Sequence, residues 1–317
     1  MSTRGQFPDE EGEDGAFVRQ EDAFRDWVEA DGSTPYSPEA GRYHLYVSLA
    51  CPWAHRTLIV RKLKGLEDVV GVTVVDPVRD ERGWAFRHGP GFSEDPINGF
   101  RFLSEAYRAS DPEFRGRATV PVLWDTRRRR IVNNSEDDIC RMFNDEFDAL
   151  ATQPTDLFPA ALRDEQAALS ERIYECVNNG VYRAGFATSQ RAYEGAVRKL
   201  FATLDELETR LGKTRFLFGD RWVETDWRLF CTLIRFDAVY HGHFKCNLRR
   251  IVDHPNLSGY LRDLYQTPGI ADTVNFEHIK AHYYVTHTEI NPTRIVPLGP
   301  VLDLEARHDR ERFTKSE

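Results

Sequence analysis

The chain has 317 residues, 41% of them hydrophobic and 29% charged, enough for a sizeable core and, at ordinary domain size, for two domains. A net charge of -9 argues against a general attraction to nucleic acid, and the basic run at 127–130 reads as a solvated turn. No apolar run approaches the roughly 20 residues of a membrane span, and the first 30 residues lack a secretory apolar stretch, so a cytoplasmic protein with no membrane partner is expected.

Residues 1–15 carry Asp9, Glu10, Glu11, Glu13 and Asp14 among glycines, a composition that buries too little to order itself and predicts a mobile tail. A short amphipathic piece around Phe24 and Trp27 follows and extends the tail to residue 41. Residues 43–49 read as a strand, 53–66 as a helix and 69–75 as a second strand. After a long Gly- and Pro-rich stretch at 76–117, "TVPVLWD" and "RIVNN" read as two strands joined by a turn, and 135–147 as a helix. This β-α-β then β-β-α order is that of a thioredoxin-like unit, here assigned to 42–150 as a thiol-binding domain. Its long internal connection is of a kind more often functional than idle. From Pro159 onward helical periods take over, at 161–181, 190–211, 227–240 and 257–265. The predicted fold is α/β plus all-α: a thioredoxin-like domain joined near 148–158 to an all-helical substrate-binding domain over 159–304, with a tail at 305–317.

The five cysteines are odd in number and lack paired short spacings, so neither a disulfide framework nor a zinc ribbon is indicated. Cys140, Cys176 and Cys231 sit in apolar helical settings, where a thiol behaves as a small hydrophobe. The group His241, His243 and Cys246 has no acidic partner or second motif, and no metal is expected there.

Cys51 is different, because "LACPWAHR" places it where a strand ends and a helix begins. Unpaired N–H groups and the positive end of the helix dipole favour thiolate over thiol at that position, which makes Cys51 a candidate nucleophile. Pro52 suits the first turn, where its missing donor is not needed, and Trp53 supplies an apolar wall. Position 54 is alanine, so no resolving thiol stands within the motif, and monothiol chemistry with a small external thiol is the natural reading. At Val120 and Pro121 a strand opens on a proline, which in thioredoxin-like folds is a cis proline beside the cysteine; proline is the only residue for which a cis bond is cheap.

With these residues in place, the chain resembles the glutathionyl-hydroquinone reductases, the Xi class of glutathione transferases, over residues 17–304. The resemblance rests on "FRDWVEADG", "GRYHLYVSLACPWAHRTLIVRKLKGLE", "TVPVLWD", "NNGVYRAGFATSQ", "DWRLFCTLIRFDAVY", "HFKCNLRRI", "VNFEHIKAHYY" and "INPTRIVPLGP" in that order. It implies a homodimer without a tightly bound cofactor that uses glutathione as cosubstrate. Cys51 would attack the sulfur of an S-glutathionyl-hydroquinone, and a second thiol would release the mixed disulfide. It further implies that Tyr182 and Tyr283 contact the hydroquinone and that Trp84, Val120 and Pro121 line the thiol site. His282 and His287 are candidates for positioning the tyrosine or for a structural hydrogen bond.

One segment departs from the pattern. Where glutathione-using members carry Glu-Ser, this chain has Ser135 and Glu136, followed by Asp137 and Asp138. Ser135 and Glu136 remain the candidate contacts for the cosubstrate's γ-glutamyl end, but a carboxylate facing a carboxylate costs rather than gains. The same residues also read as a helix start, with Ser135 as cap and acids in the first turn. If the acids face the thiol, a cysteine thiol without that carboxylate, such as mycothiol, becomes the alternative cosubstrate; only 7 of the 42 basic residues are lysine, which fits a high-GC actinobacterium. Two other readings are a conjugating or general thiol transferase, disfavoured because Cys51 would trap the cosubstrate as a disulfide, and a non-catalytic binding protein of the same fold.

Overall fold

The structure, a computed structural model, describes residues 10–12 and 14–314. Two compact units divide the chain: Gln20–Asp156 with Thr273–His282, and Met1–Arg19 with Leu157–Asp272 and Tyr283–Glu317.

The first unit holds β1 (Tyr43–Val47), α1 (Pro52–Leu63), β2 (Gly71–Val74), α2 (Leu103–Ser110), β3 (Val122–Asp125), β4 (Arg130–Asn133) and α3 (Glu136–Asp145). Its sheet runs β2-β1-β3-β4, with β1 parallel to β2 and antiparallel to β3, and β3 antiparallel to β4. Every residue of β1 is buried, so both faces of this central strand are covered. Its one imidazole, His44, meets the Thr73 hydroxyl of β2 at 2.7 Å. Arg42 and Asp125 pair at 2.6 Å where β1 meets β3. The other Asp125 oxygen accepts from the N–H groups of Arg127 and Arg128 at 2.9 and 3.1 Å, and Arg129 adopts φ 52°. The basic run is therefore the exposed β3–β4 turn. α1 ends at Gly65 with φ +62°, where a Cβ would come within 1.9 Å of the Thr152 hydroxyl.

The stretch 76–117, expected to be irregular throughout, contains α2. Its N–H at Phe102 donates to the Glu105 carboxylate at 3.1 Å, and Tyr107 donates to the Thr119 carbonyl at 2.9 Å. Buried Asp95 gathers the rest of the loop by accepting from Tyr46 Oη and from the N–H groups of Ile97, Asn98 and Phe100, all at 3.0–3.1 Å.

The second unit holds α4 (Arg163–Ile173), α5 (Gly180–Gly185), α6 (Gln190–Leu211), α7 (Glu224–Arg235) and α8 (Pro255–Tyr265). The helices expected at 161–181 and 227–240 are each interrupted by a π turn, at Tyr174–Asn178 and Phe236–Tyr240. α9 (Phe276–Thr286) was not among the helices read from periodicity, and the division between the units falls within it. Among the described residues no helix is long and apolar enough to cross a membrane.

Of the expected N-terminal tail, residues 1–9 and 13 lie outside the described residues. The others are docked: Glu11 bridges Phe17, and Gly15 O accepts from Thr188 N at 3.0 Å. Of the expected C-terminal tail, residues 315–317 lie outside the described residues, but Arg310 is only 1% exposed. Its guanidinium donates to the carbonyls of Leu211, Thr214 and Arg215 at 2.9, 2.6 and 2.6 Å.

Two histidines make stability depend on acidity. Burial holds His44 and His243 down to about 4, from an ordinary value of 6.5. Between those values the unfolded chain binds protons that the folded chain refuses. Their contribution is complete above about 6.5 and is lost as pH falls towards 4, at about 2 kcal/mol for each histidine. Melting temperature measured across that window should fall, and His44→Gln should flatten the fall; an unchanged profile in that variant would remove His44 from the account.

Candidate active site

The thiol-bearing part of the site lies in the first unit. After β1 the chain reverses through Ser48, whose carbonyl accepts from Cys51 N at 3.1 Å, and Cys51 becomes the N-cap of α1 with φ -77° and ψ 121°. Pro52 starts the helix without needing a donor. The sulfur is 9% exposed and donates to Val120 O at 3.5 Å. The Val120–Pro121 bond is cis, as the sequence led us to expect. Two influences therefore meet at this sulfur: the contact with Val120 O favours the thiol, whereas the helix start favours the thiolate. His55, one turn along α1, does not act on the sulfur through its Nε2, which instead meets the Thr273 hydroxyl at 2.7 Å.

Trp84, in the long loop, stacks on His282 at 4.9 Å with 23° between the rings, and the Arg79 guanidinium lies 5.5 Å from the Trp84 ring centroid. His282 Nδ1 donates to Pro77 O at 2.8 Å; a carbonyl only accepts, so that nitrogen carries the proton. His282 is thereby tied to the Trp84 loop.

Ser135 is the N-cap of α3, and its N–H donates to Asn133 Oδ1 at 2.7 Å. Asp137 pairs with buried Arg56. Asp138 accepts from Arg25 Nη2 at 2.8 Å and from Asn133 Nδ2 at 2.9 Å. Two of the three acids are thus committed to this unit's own framework, and the departure from the family pattern narrows to half-buried Glu136.

The tyrosines belong to the second unit. Tyr182 lies in α5 shortly after the first π turn, and its hydroxyl is 2.5 Å from that of Tyr283. A third tyrosine, Tyr240, closes the second π turn and places its hydroxyl 2.9 Å from Tyr283. π turns re-aim helical side chains and recur at functional sites. Phe244 packs edge-on to Tyr182 at 5.6 Å, and a Cβ at Gly185 would come within 2.2 Å of the Phe244 ring, which explains the glycine in "YRAGF". Burial first, and the neighbouring Tyr182 oxygen second, push the hydroxyls of Tyr240 and Tyr283 well above the usual phenol range. Both remain neutral donors at ordinary pH. Tyr284, Tyr283's neighbour, instead donates to Ala238 O at 3.2 Å.

His287 is edge-on to Tyr283 at 5.5 Å and its Nδ1 is 3.4 Å from His243 Nε2. Cys246 donates to Phe244 O, and burial raises its thiol far above the ordinary range. No group of three or more His, Cys, Asp or Glu among the described residues is placed to hold a metal ion.

The structure brings Cys51, Val120 and Pro121 together in one unit and Tyr182 and Tyr283 in the other. Sequence reasoning missed Tyr240, which ends an apolar helical period and looks like core. It also missed Arg19, which lies over the Tyr182 ring at 4.8 Å and which one arginine among many gave no reason to single out.

Comparison with known proteins bears on the same residues. The family described as glutathione S-transferase, N-terminal domain, matches residues 50–146, and the corresponding C-terminal domain family matches 190–263. The chain is 52% identical over 304 residues to glutathionyl-hydroquinone reductase YqjG of Escherichia coli, covering 94% of this chain and 93% of that protein. It is 50% identical to glutathionyl-hydroquinone reductase PcpF of Sphingobium chlorophenolicum, covering 92% and 91%. Among solved structures, the Xi-class glutathione transferase of Natrialba magadii superposes with a TM-score of 0.90 at 52% identity, covering 91% of this chain and 89% of that one.

Proposed function

The chain belongs to the glutathionyl-hydroquinone reductases, the Xi class of the glutathione S-transferases, and on that premise we propose that it removes the thiol from S-glutathionyl-hydroquinones through a mixed disulfide on Cys51. The Cys51 thiolate attacks the conjugate's sulfur and forms an S–S bond. The C–S bond breaks with its electron pair passing to the ring carbon, which takes a proton and leaves as hydroquinone. A second thiol attacks the mixed disulfide, freeing Cys51 and leaving as oxidised disulfide. The ring carbon is reduced, the two cosubstrate sulfurs are oxidised, and the enzyme returns unchanged. Tyr182 is the proton donor and Tyr283 hydrogen-bonds it, since neutral phenols suit both tasks. Trp84, Val120 and Pro121 line the thiol's seat.

The observation that carries this reading is Cys51 at the N-cap of α1, 3.5 Å from the carbonyl that precedes the cis proline. Incubation with an S-glutathionyl-hydroquinone and glutathione should yield one glutathione disulfide per hydroquinone released. Absence of turnover under conditions that sustain the relatives would remove the reading. A homodimer in a reducing, cytoplasmic compartment is the setting this chemistry suits.

Glutathione is the first choice of cosubstrate, supported by the relatives' names. A second reading, in which the thiol is mycothiol or another small thiol without the γ-glutamyl carboxylate, is favoured by Glu136 standing where a serine is expected. The exchange Ser135→Glu with Glu136→Ser should then lower KM for glutathione by about tenfold or more, the effect of replacing like-charge repulsion with a hydrogen bond. Steady-state kinetics with both thiols checks it; efficient saturation of the unaltered enzyme by low glutathione would dismiss the second thiol.

A further inference from the structure

The segment that precedes residue 20 is docked on the second unit rather than loose. Phe17 packs on Phe186 at 5.4 Å, Ser189 Oγ donates to Asp14 O at 2.8 Å, and Arg19 Nε donates to Asn179 Oδ1 at 2.9 Å. These contacts fix the Arg19 guanidinium over a ring face, with Cζ 4.8 Å from the Tyr182 centroid. Asn179 immediately follows the first π turn, so the backbone irregularity that sets Tyr182 also sets the anchor for the cation. Tyr182 is the outermost of the three tyrosines, at 9% exposed against 1% for Tyr283 and 0% for Tyr240.

We propose that Arg19 is a positioning and electrostatic residue for Tyr182, stabilising the negative charge that develops on its oxygen as it gives its proton to the departing aromatic ring. This deepens the reductase reading and rests on it. A cation over a ring is attracted to a neutral phenol and more strongly to a phenolate. On the other side, Tyr283 donates to the same oxygen while Tyr240 adjoins Tyr283, so developing charge is met by a chain of donors at one edge and a guanidinium at one face. The charge is focused on Tyr182 because burial keeps its two partners protonated.

The other ionisable groups around it are accounted for. Arg235, wholly buried, acts on Tyr240 and Tyr283. Arg183, on the same helix as Tyr182, pairs with Glu175 at 2.7 Å. His243 and His287 stack on each other beside Tyr283, and burial keeps His243 neutral.

The test uses the full chain and two readouts. Phenolate absorbance, taken as the difference between proteins with and without Tyr182→Phe, reports ionisation of that ring without requiring turnover, so it succeeds or fails separately from the reductase assignment. Arg19→Gln should raise the pH at which Tyr182 ionises by about one unit, the size of a partly desolvated cation–π contact. In turnover it should lower kcat near neutral pH by about three- to tenfold, while the alkaline limb moves to higher pH because a weaker acid keeps its proton longer. KM for the conjugate should stay within about twofold, since the effect is on the transition state. Arg19→Lys should restore most of both readouts by restoring the charge. Asn179→Ala, which keeps the guanidinium but releases its anchor, should shift the ionisation in the same direction by less, and it serves if Arg19→Gln fails to fold. Unchanged Tyr182 ionisation in folded Arg19→Gln or Asn179→Ala, or equal impairment in Arg19→Gln and Arg19→Lys, would overturn the proposal.

Discussion

Cys51→Ser is expected to lose about four orders of magnitude or more in conjugate turnover while keeping its fold, because covalent catalysis here has no alternative nucleophile within the motif. The argument rests on chemistry at one atom. A serine hydroxyl is almost fully protonated at neutral pH and forms no stable bond to a conjugate's sulfur, so neither the first nor the second thiol exchange can proceed. Position 51 packs tightly, with the side chain 9% exposed, and serine is slightly smaller than cysteine and equally able to donate to Val120 O. Melting temperature should therefore change little. Stopped assays that separate hydroquinone from conjugate measure the effect directly. Retention of more than about a tenth of the wild-type rate would mean that the sulfur is not the nucleophile.

Tyr182→Phe is expected to lower kcat by about a hundredfold and Tyr283→Phe by about tenfold, with smaller effects on KM, since the lost interaction matters most as the proton is transferred. The ring carbon receives an electron pair when the C–S bond breaks and is a poor leaving atom unless protonated. Tyr182 is the outermost hydroxyl of its cluster, and Tyr283 supports it at 2.5 Å. Replacing Tyr283 leaves Tyr182 able to donate but removes the hydrogen bond that would stabilise its anion. It also leaves the buried Tyr240 hydroxyl without its 2.9 Å partner, so a modest loss of stability should accompany the loss of rate. Kinetics of the two variants against the double variant check the coupling. Two independent losses that simply multiply would show that the hydroxyls do not act as a unit.

The thioredoxin-like order and the helical second half were legible because their signals are local. α6 has the bounds its apolar period implies, Gln190–Leu211, and the strand–cysteine–proline junction defines the start of α1 within a residue. α2 and α9 were not read from periodicity: α2 lies amid glycines and prolines, and α9 presents histidines and tyrosines in place of an aliphatic stripe. π turns leave no sequence period of their own, because one extra residue per turn disturbs the helical rhythm only slightly. Cys51 and Pro121 announce their chemistry through residue type and position. The motif resemblance singled out Tyr182 and Tyr283, but Tyr240 and Arg19 join them only through contacts between residues 43 and 163 positions apart, and no local pattern encodes such contacts. The acids after Asn134 illustrate the reverse. The sequence presents three of them together, and the partners that separate Asp137 and Asp138 from Glu136 come from Arg56 and Arg25, far away in the chain.

The sharpest measurement is a single turnover with excess S-glutathionyl-hydroquinone and no second thiol, followed by intact mass and peptide mapping. The account predicts one equivalent of free hydroquinone and one glutathionyl group, all of it on Cys51 and removable by added thiol. Hydroquinone released without that adduct, or an adduct on another of the five cysteines, would contradict it.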